Sequence, residues 1–550
     1  MRSARFALAA ALAAGALVTA PIGAQNPFAP RPTPPNPLAV PPSLDSAPAY
    51  VRRTPVSNAT IEQIRQEGME RSQAAAYAQV LLDSLGPRLT GSPGMNAAQD
   101  WLLAVYGKMG VSARKERYGT WNAWRRGPTQ LVLTAPRART IEATMLSWSP
   151  GTNGQWREGD VVTMPDVRTP EEFTAWLPSA RGKFVLASVP MLSCRSPQQW
   201  QEFGQPGAEA AIRRQQDSLR AAWTVRMLAA TNDYSARLDS AGALGVLTTN
   251  WSQYPGINKI FGSPRQKVPT FDVACEDYGA LFRLAVNKQG PRLRLMADAE
   301  SLGEQPVFNV IAELKGTKKP EEYVILSAHF DSWEGAAGAT DNGTGTVTML
   351  EAMRILKTVV PRPSRTIIVG HWSGEEQGLN GSRAWSEDHP DVVSGLQALF
   401  NQDNGTGRIV GTGPGALPKA RPFLEKWLGE MPSDISRWVR LGQAGPPATG
   451  GSDNASFACY GAPAFGLNAL SWDYGFTTWH TNRDTFDKVV IEDLKNNATL
   501  AAMFAYLASE DAERVPRDRM DPLPNDPRSG QPMTWPGCVK GMRSSVEFRR

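Results

Sequence analysis

With 550 residues the chain has room for two or more domains, each with its own core, and 41% hydrophobic with 20% charged residues is ordinary globular composition. A net charge of +5 over that length, with no long Lys/Arg run, argues against nucleic acid as a partner. The first residues read as an address. Arg2 and Arg5 precede an Ala-rich apolar stretch from Phe6 to Ala20, and Ile22-Gly23-Ala24 stands before Gln25. That pattern predicts a signal peptide over residues 1–24, cleaved after Ala24. The apolar run is short for a membrane span, and no later stretch approaches one. A secreted or periplasmic protein is expected, with no membrane span in the mature chain.

A Pro-rich linker follows over residues 25–58; its PRPTPPNPLAVPP run cannot pack a core. From Thr60 to Ser84 apolar residues recur at helical spacing, which predicts one long amphipathic helix. The turn GPRLTGSPG leads into a second helix over Met95–Met109, and these elements form the first part (59–129) of a main domain. Residues 130–305 read as a separate, inserted, strand-rich domain. There LVLTAP, GKFVLASVP, GALGVLTTN and VPTFDV alternate with turn residues and one charged helix (Gly207–Ala230). This region contains no histidine.

The second part of the main domain, 306–514, reads as strand–helix units. Tyr323–His329 is a continuous apolar run, as expected of a strand buried on both faces. Arg365–Gly370, Leu396–Phe400 and Pro463–Leu470 repeat the signal, and a helix is predicted over Thr344–Val359. The alternation predicts an α/β fold with a mixed, mostly parallel sheet flanked by helices. The tail, 515–550, is Pro/Arg-rich and expected to be irregular. Cys194, Cys275, Cys459 and Cys538 permit two disulfides with three connectivities. Pairing Cys194–Cys275 and Cys459–Cys538 is the economical choice; buried free thiols are the alternative.

Six residues in the second half carry the chemistry: His329, Asp341, Glu375, Glu376, Asp403 and His480. They fall at or just past strand ends, the edge where open α/β sheets place ligands. Two imidazoles and three or four carboxylates make a mixed N/O set suited to a pair of zinc ions and metal-assisted hydrolysis. His329 closes one strand, and Asp331, two residues on, is expected to lean the same way and hydrogen-bond the imidazole. Asp341, in GATDNGTG, can bridge two cations or simply cap the following helix. Of the neighbours Glu375 and Glu376, one can bind metal while the other takes a proton from water. Asp403 lies in FNQDNGTG. His480 lies in TTWHTNRDT, with Asp484 as its candidate partner or a plain turn residue. His371 and His389 are read as structural.

The runs SAHFDSWEGAAGATDNGTG, WSGEEQGLNGS, FNQDNGTG and WHTNRDTFDKV resemble the co-catalytic di-zinc exopeptidases, a family that includes leucyl aminopeptidase, glutamate carboxypeptidase and carboxypeptidase Q. The likeness is strongest to the carboxypeptidase Q branch, which shares the GPRLTGSPG turn, the Trp of HFDSW and an insert at the same place. It covers roughly Thr60 to Glu510. It implies two Zn2+ ions bridged by Asp341. His329 and Asp403 would complete one ion's ligands, and Glu376 and His480 the other's. Glu375 would be the general base, and Asp331 would orient His329. The insert would be a protease-associated domain that covers the cleft or mediates a homodimer. Trp479 stands where relatives often carry Tyr or His, so no oxyanion donor is assigned there. Ser452, Asp453 and Asn454 mark the segment near the family's specificity pocket. The implied activity is hydrolysis of short peptides, as an aminopeptidase or dipeptidase. The alternative is a catalytically inactive binding or receptor-like protein on the same fold, and a single-zinc cyclase is a third reading.

Overall fold

In the computed structural model, residues 43, 47–51, 58–263, 266–526 and 528–548 are described. The expected signal peptide and most of the expected linker lie outside them. Asn58 starts the first helix, Ala59–Met69, by accepting from the amides of Thr60 and Ile61. The single helix expected over 60–84 is broken. A second helix begins at Ala74 and widens into a π turn over Val80–Leu85. The cause is a distant acid. Glu351, fully buried, accepts from Ser72 Oγ and the Gln73 amide, each at 3.0 Å, and Arg354 links Glu351 to Glu67. These bonds pull Glu70–Gln73 out of the helical path. The next helix, Pro93–Met109, is capped by Ser92 and stopped by Gly110 at φ +66°.

Strands follow in chain order: β1 (Ser112–Ala135), β2 (Arg139–Thr140), β3 (Ala143–Met145), β4 (Arg157–Thr163), β5 (Lys183–Leu186), β6 (Gly245–Thr248) and β7 (Thr270–Val273). Then come β8 (Arg292–Leu314), β9 (Lys319–His329), β10 (Arg365–Trp372), β11 (Leu396–Asn401), β12 (Ile409–Thr412), β13 (Arg440–Leu441), β14 (Ala464–Gly466) and β15 (Asn468–Ala469). The main sheet has the order β14-β11-β9-β10-β8-β4-β5-β6-β7-β3, with β1 on β8 and β2 on β1. The pairs β14–β11, β11–β9 and β9–β10 are parallel, as are β4–β5, β5–β6 and β6–β7. The long antiparallel pair β1–β8 joins the two parallel groups. One end of β8 pairs with β4 and the other with β10. The strands expected within 130–305 are present, and helices at 170–176, 197–203, 234–241 and 275–286 accompany the one expected there.

Both faces of the sheet are covered, as the unbroken apolar runs require. Val324 and Leu326 point into the cluster built on the Thr344–Val359 and Ile491–Glu510 helices. Ile325 points the other way, with Trp372, Trp385 and Phe457. In the other group, Phe184 and Leu247 face one cluster while Val185 and Val246 face another, with Trp223 of the Ala208–Ala230 helix. The strand expected over Pro463–Leu470 is divided: β14 joins the main sheet and β15 the small sheet β13-β12-β15. Cys194–Cys275 and Cys459–Cys538 are the disulfides. The second ties down the irregular tail, which is also held where Arg543 pairs with Glu387 and Asp388.

His371, on β10, is 1% exposed and lies 2.7 Å from the Tyr106 hydroxyl. Burial pushes its imidazole down to about 3. The unfolded chain therefore takes up this proton first as the pH falls below the ordinary value of about 6.5. His371 thus stabilises the fold above that pH, and the contribution is lost between about 6.5 and 3. Melting curves of wild type and His371→Gln from pH 7 to 4 should show the wild-type Tm falling faster than the variant's. A gap that does not change with pH would remove His371 from this role.

Candidate metal centre

Each ligand candidate is delivered by a strand end or by a loop fixed to one. His329 ends β9 and is completely buried. Its Nε2 lies 3.1 Å from Asp403 Oδ1, just past β11, and 3.3 Å from Asp341 Oδ1. Asp341 sits in the wide turn Ala339–Gly343 ahead of the Thr344–Val359 helix. Asn342 Nδ2 donates to the Gln402 carbonyl at 2.8 Å, so this turn is fastened to the end of β11. His480 adopts φ +51°, unusual for a non-glycine residue. Its Nε2 lies 3.1 Å from Asp341 Oδ2 and 2.9 Å from Glu376 Oε2.

The two oxygens of Asp341 thus face the two imidazoles. Two groups of ligand atoms result, His329/Asp341/Asp403 and Asp341/Glu376/His480, each with its atoms within 4.8 Å of one another. The donor chemistry fits divalent zinc, which takes imidazole nitrogen and carboxylate oxygen. Asp341 Oδ2, Glu376 Oε1 and His480 Nδ1 are buried without a hydrogen-bond partner. Orphaned buried atoms of this kind call for an ion or water.

The electrostatics point the same way. Burial alone would lower both imidazoles, yet Asp403 and Glu375 hold His329 well above its ordinary value, and Glu376 and Asp341 push His480 up to about 10. Burial and the Asp341 charge push Glu376 up to about 7. Glu375 is also raised by burial, reinforced by Asp403 and Asp453. Negative charge is in surplus among these side chains, which favours a bound cation.

Two supporting acids, Asp331 and Asp484, hold backbone amides around the centre. The atom of Asp331 nearest His329 Nδ1 is its backbone carbonyl oxygen at 3.1 Å; the carboxylate is 3.6 Å away. That carboxylate also accepts the amides of Glu375 and Glu376, each at 3.2 Å, and the Thr90 hydroxyl at 3.3 Å. Asp484, the candidate partner of His480, accepts the amides of Thr340 and Asp341 at 2.8 and 3.1 Å and so fixes the Asp341 turn. Of the Ser452–Asn454 segment, Asp453 is completely buried and its carboxylate oxygens have no hydrogen-bond partner. Burial pushes it up to about 7.

Other contributors carried no motif. The His480 carbonyl accepts the Ile260 amide at 2.7 Å, and Phe261 and Trp333 pack edge-on against the His480 ring, 4.9 and 5.9 Å away. Lys259 Nζ donates to the Trp479 carbonyl and lies 4.5 Å from the Trp479 ring centre. Arg88, buried in the GPRLTGSPG turn, donates to the carbonyls of Phe330, Ala337 and Gly338 at 2.7–2.9 Å. A cavity of about 420 Å³ opens over the centre, with Glu375, Arg383, Gly451, Tyr474 and Trp479 in its wall.

Residues 309–505, which include all six candidates, match the model of Peptidase family M28. Carboxypeptidase Q of Homo sapiens is 25% identical over 480 residues, covering 84% of this chain and 94% of that protein. A peptidase M28 precursor of Shewanella amazonensis has a similar fold, with TM-score 0.61 and 23% identity over 85% of this chain and 98% of that one. BSAP, a zinc aminopeptidase from Bacillus subtilis, aligns with TM-score 0.50 and 20% identity over 81% of this chain and 96% of that one. Residues 309–505 thus resemble the M28 peptidases, the mixed α/β fold resembles that of the solved M28 precursor, and these likenesses support a peptidase.

Metal must displace the protons held at His480 and Glu376 near neutral pH. Calorimetric titration of zinc into the metal-free protein at pH 7 should therefore release protons, detected as a dependence of the heat on buffer ionisation enthalpy. Apparent affinity should rise from pH 6 to pH 8. Heats and affinities that ignore buffer and pH would show that these side chains do not take the metal.

Proposed function

We propose that the chain is an exported zinc-dependent exopeptidase that hydrolyses peptide bonds of short peptides, as an aminopeptidase or dipeptidase. The observation that carries this reading is the sharing of Asp341 between two histidine-containing ligand groups beside a carboxylate, Glu375, that belongs to neither. In this reading two zinc ions are held: one by His329, Asp341 and Asp403, the other by Asp341, Glu376 and His480. Residues 130–305 form the inserted protease-associated domain. The packing of Asn258–Phe261 on the His480 loop supports an insert that reaches the cleft. The export signal is residues 1–24.

Zinc, when bound, supplies Lewis acidity that acidifies water and polarises the peptide carbonyl. Glu375 takes a proton from the attacking water and returns it to the leaving amine. Its burial among other acids favours holding that proton until the amine departs. Asp331 keeps Glu375 and Glu376 in register through their amides, so that the base and the adjacent ligand cannot exchange places.

Glu375→Gln should retain zinc while turnover falls about 10²- to 10⁴-fold. His480→Ala should lose metal. Elemental analysis of each purified variant, beside an assay on a mixed panel of dipeptides and longer peptides read by mass spectrometry, separates the two effects. Wild-type turnover in the Gln variant would remove Glu375 as base. Metal-loaded protein that cleaves no peptide in the panel would refute the peptidase reading.

A further inference from the structure

The cavity wall contains four acids of the centre, Asp341, Glu375, Glu376 and Asp403, and one fixed cation, Arg383, the sole lysine or arginine among its lining residues. Arg383 stands in the Asn380–Asp388 helix, where its Nη1 donates to the Gly378 carbonyl at 2.8 Å. That bond anchors one edge of a guanidinium with five N–H donors and leaves others for a ligand. Among the described residues no carboxylate forms an ion pair with Arg383; Asp453 and Glu375 act on it only through space. A cation used purely for structure would normally close on one of these acids. Arg383 remains in the wall of the cavity instead.

We propose that Arg383 anchors a carboxylate carried by the residue that hydrolysis releases: the free C-terminus of a dipeptide, or an acidic side chain next to the cut bond. The guanidinium fork matches a carboxylate in two-point geometry. A cavity of about 420 Å³ is near the small end of ligand sites, which suits a short peptide. The inference rests on the peptidase reading. It adds a reason for selecting short substrates, because a longer chain carries its terminal carboxylate past the anchor. The competing role is simple offset of the acids' charge. That role would affect all peptides alike, whereas an anchor affects only those bearing the carboxylate.

The test compares kcat/KM for Leu-Leu, Leu-Leu-amide and Leu-Asp-amide in zinc-loaded wild type, Arg383→Gln and Arg383→Lys. Equilibrium binding of the first two peptides is measured in parallel to Glu375→Gln with and without Arg383→Gln, and zinc content reports folding. Wild type should favour Leu-Leu over its amide about 10- to 100-fold. The ratio should fall to about 1 in Arg383→Gln and recover in part in Arg383→Lys. Preference for Leu-Asp-amide over Leu-Leu-amide would identify the side chain as the carboxylate's source; parity would identify the terminus. If Arg383→Gln leaves unchanged both the Leu-Leu to Leu-Leu-amide ratio, in turnover and in binding, and the Leu-Asp-amide to Leu-Leu-amide ratio, the anchor is overturned. Loss of hydrolysis everywhere, with an Arg383-dependent binding preference intact, would leave the anchor standing and sink the peptidase reading.

Discussion

The structure is organised around a concentration of negative charge that it cannot neutralise from its own side chains. Asp341, Glu375, Glu376 and Asp403 converge with only two imidazoles between them. Burying unpaired carboxylates is expensive, and a fold tolerates it only where a cation or proton completes the site. The strand ends supply the rigidity that keeps these acids from turning out to solvent. His329 and Asp403 follow neighbouring parallel strands, and Glu375 and Glu376 follow the strand on the other side of β9. The parallel register of the sheet therefore sets the spacing of the ligand atoms.

That register reaches three sides of the centre; the fourth comes from elsewhere. His480 sits on a loop outside the strands of the main sheet, in a left-handed conformation that costs a non-glycine residue free energy. The conformation persists because its surroundings enforce it. The Ile260 amide holds its carbonyl, Asn258 and Asn482 exchange backbone and side-chain bonds across the two loops, and Phe261 and Trp333 clamp its ring. Residues 258–261 belong to the segment without histidine, yet they position one of the two histidines in the centre. The region that supplies no ligand thus still helps determine ligand geometry.

Much of this was legible in the sequence. The apolar runs at 323–329 and 365–370 read as strands buried on both faces, and polar residues immediately beyond such strands lie on the sheet's edge. The Thr344–Val359 helix was likewise within reach of local argument, and the economical choice among the three cysteine pairings is the one formed. What failed was inference that carried a local period past the end of its element. Asp331 was expected to follow His329 with the alternation of a strand, but β9 stops at His329, and the Asp331 carboxylate also accepts the amides of Glu375 and Glu376. The break at Glu70–Gln73 depends on Glu351, about 280 residues away, and no helical periodicity encodes that contact. The clamp on His480 is equally non-local.

The role of Asp331 extends beyond His329. A carboxylate that only oriented an imidazole would influence one ligand. Here the residue's backbone carbonyl meets His329 while its carboxylate holds the amides of both glutamates, so one buried residue connects a ligand from β9 to the base and ligand that follow β10. Neighbouring acids on a free loop would repel each other and exchange positions, since like charges at short range are costly in a dry site. Two backbone amides donating to the same carboxylate prevent this, because shifting either glutamate breaks a buried, charge-assisted hydrogen bond. Asp484 treats the Asp341 turn in the same way, through the amides of Thr340 and Asp341. The centre is therefore built from two kinds of acid. One kind has free oxygens and awaits a cation, and the other is already satisfied by backbone N–H groups and keeps the first in place.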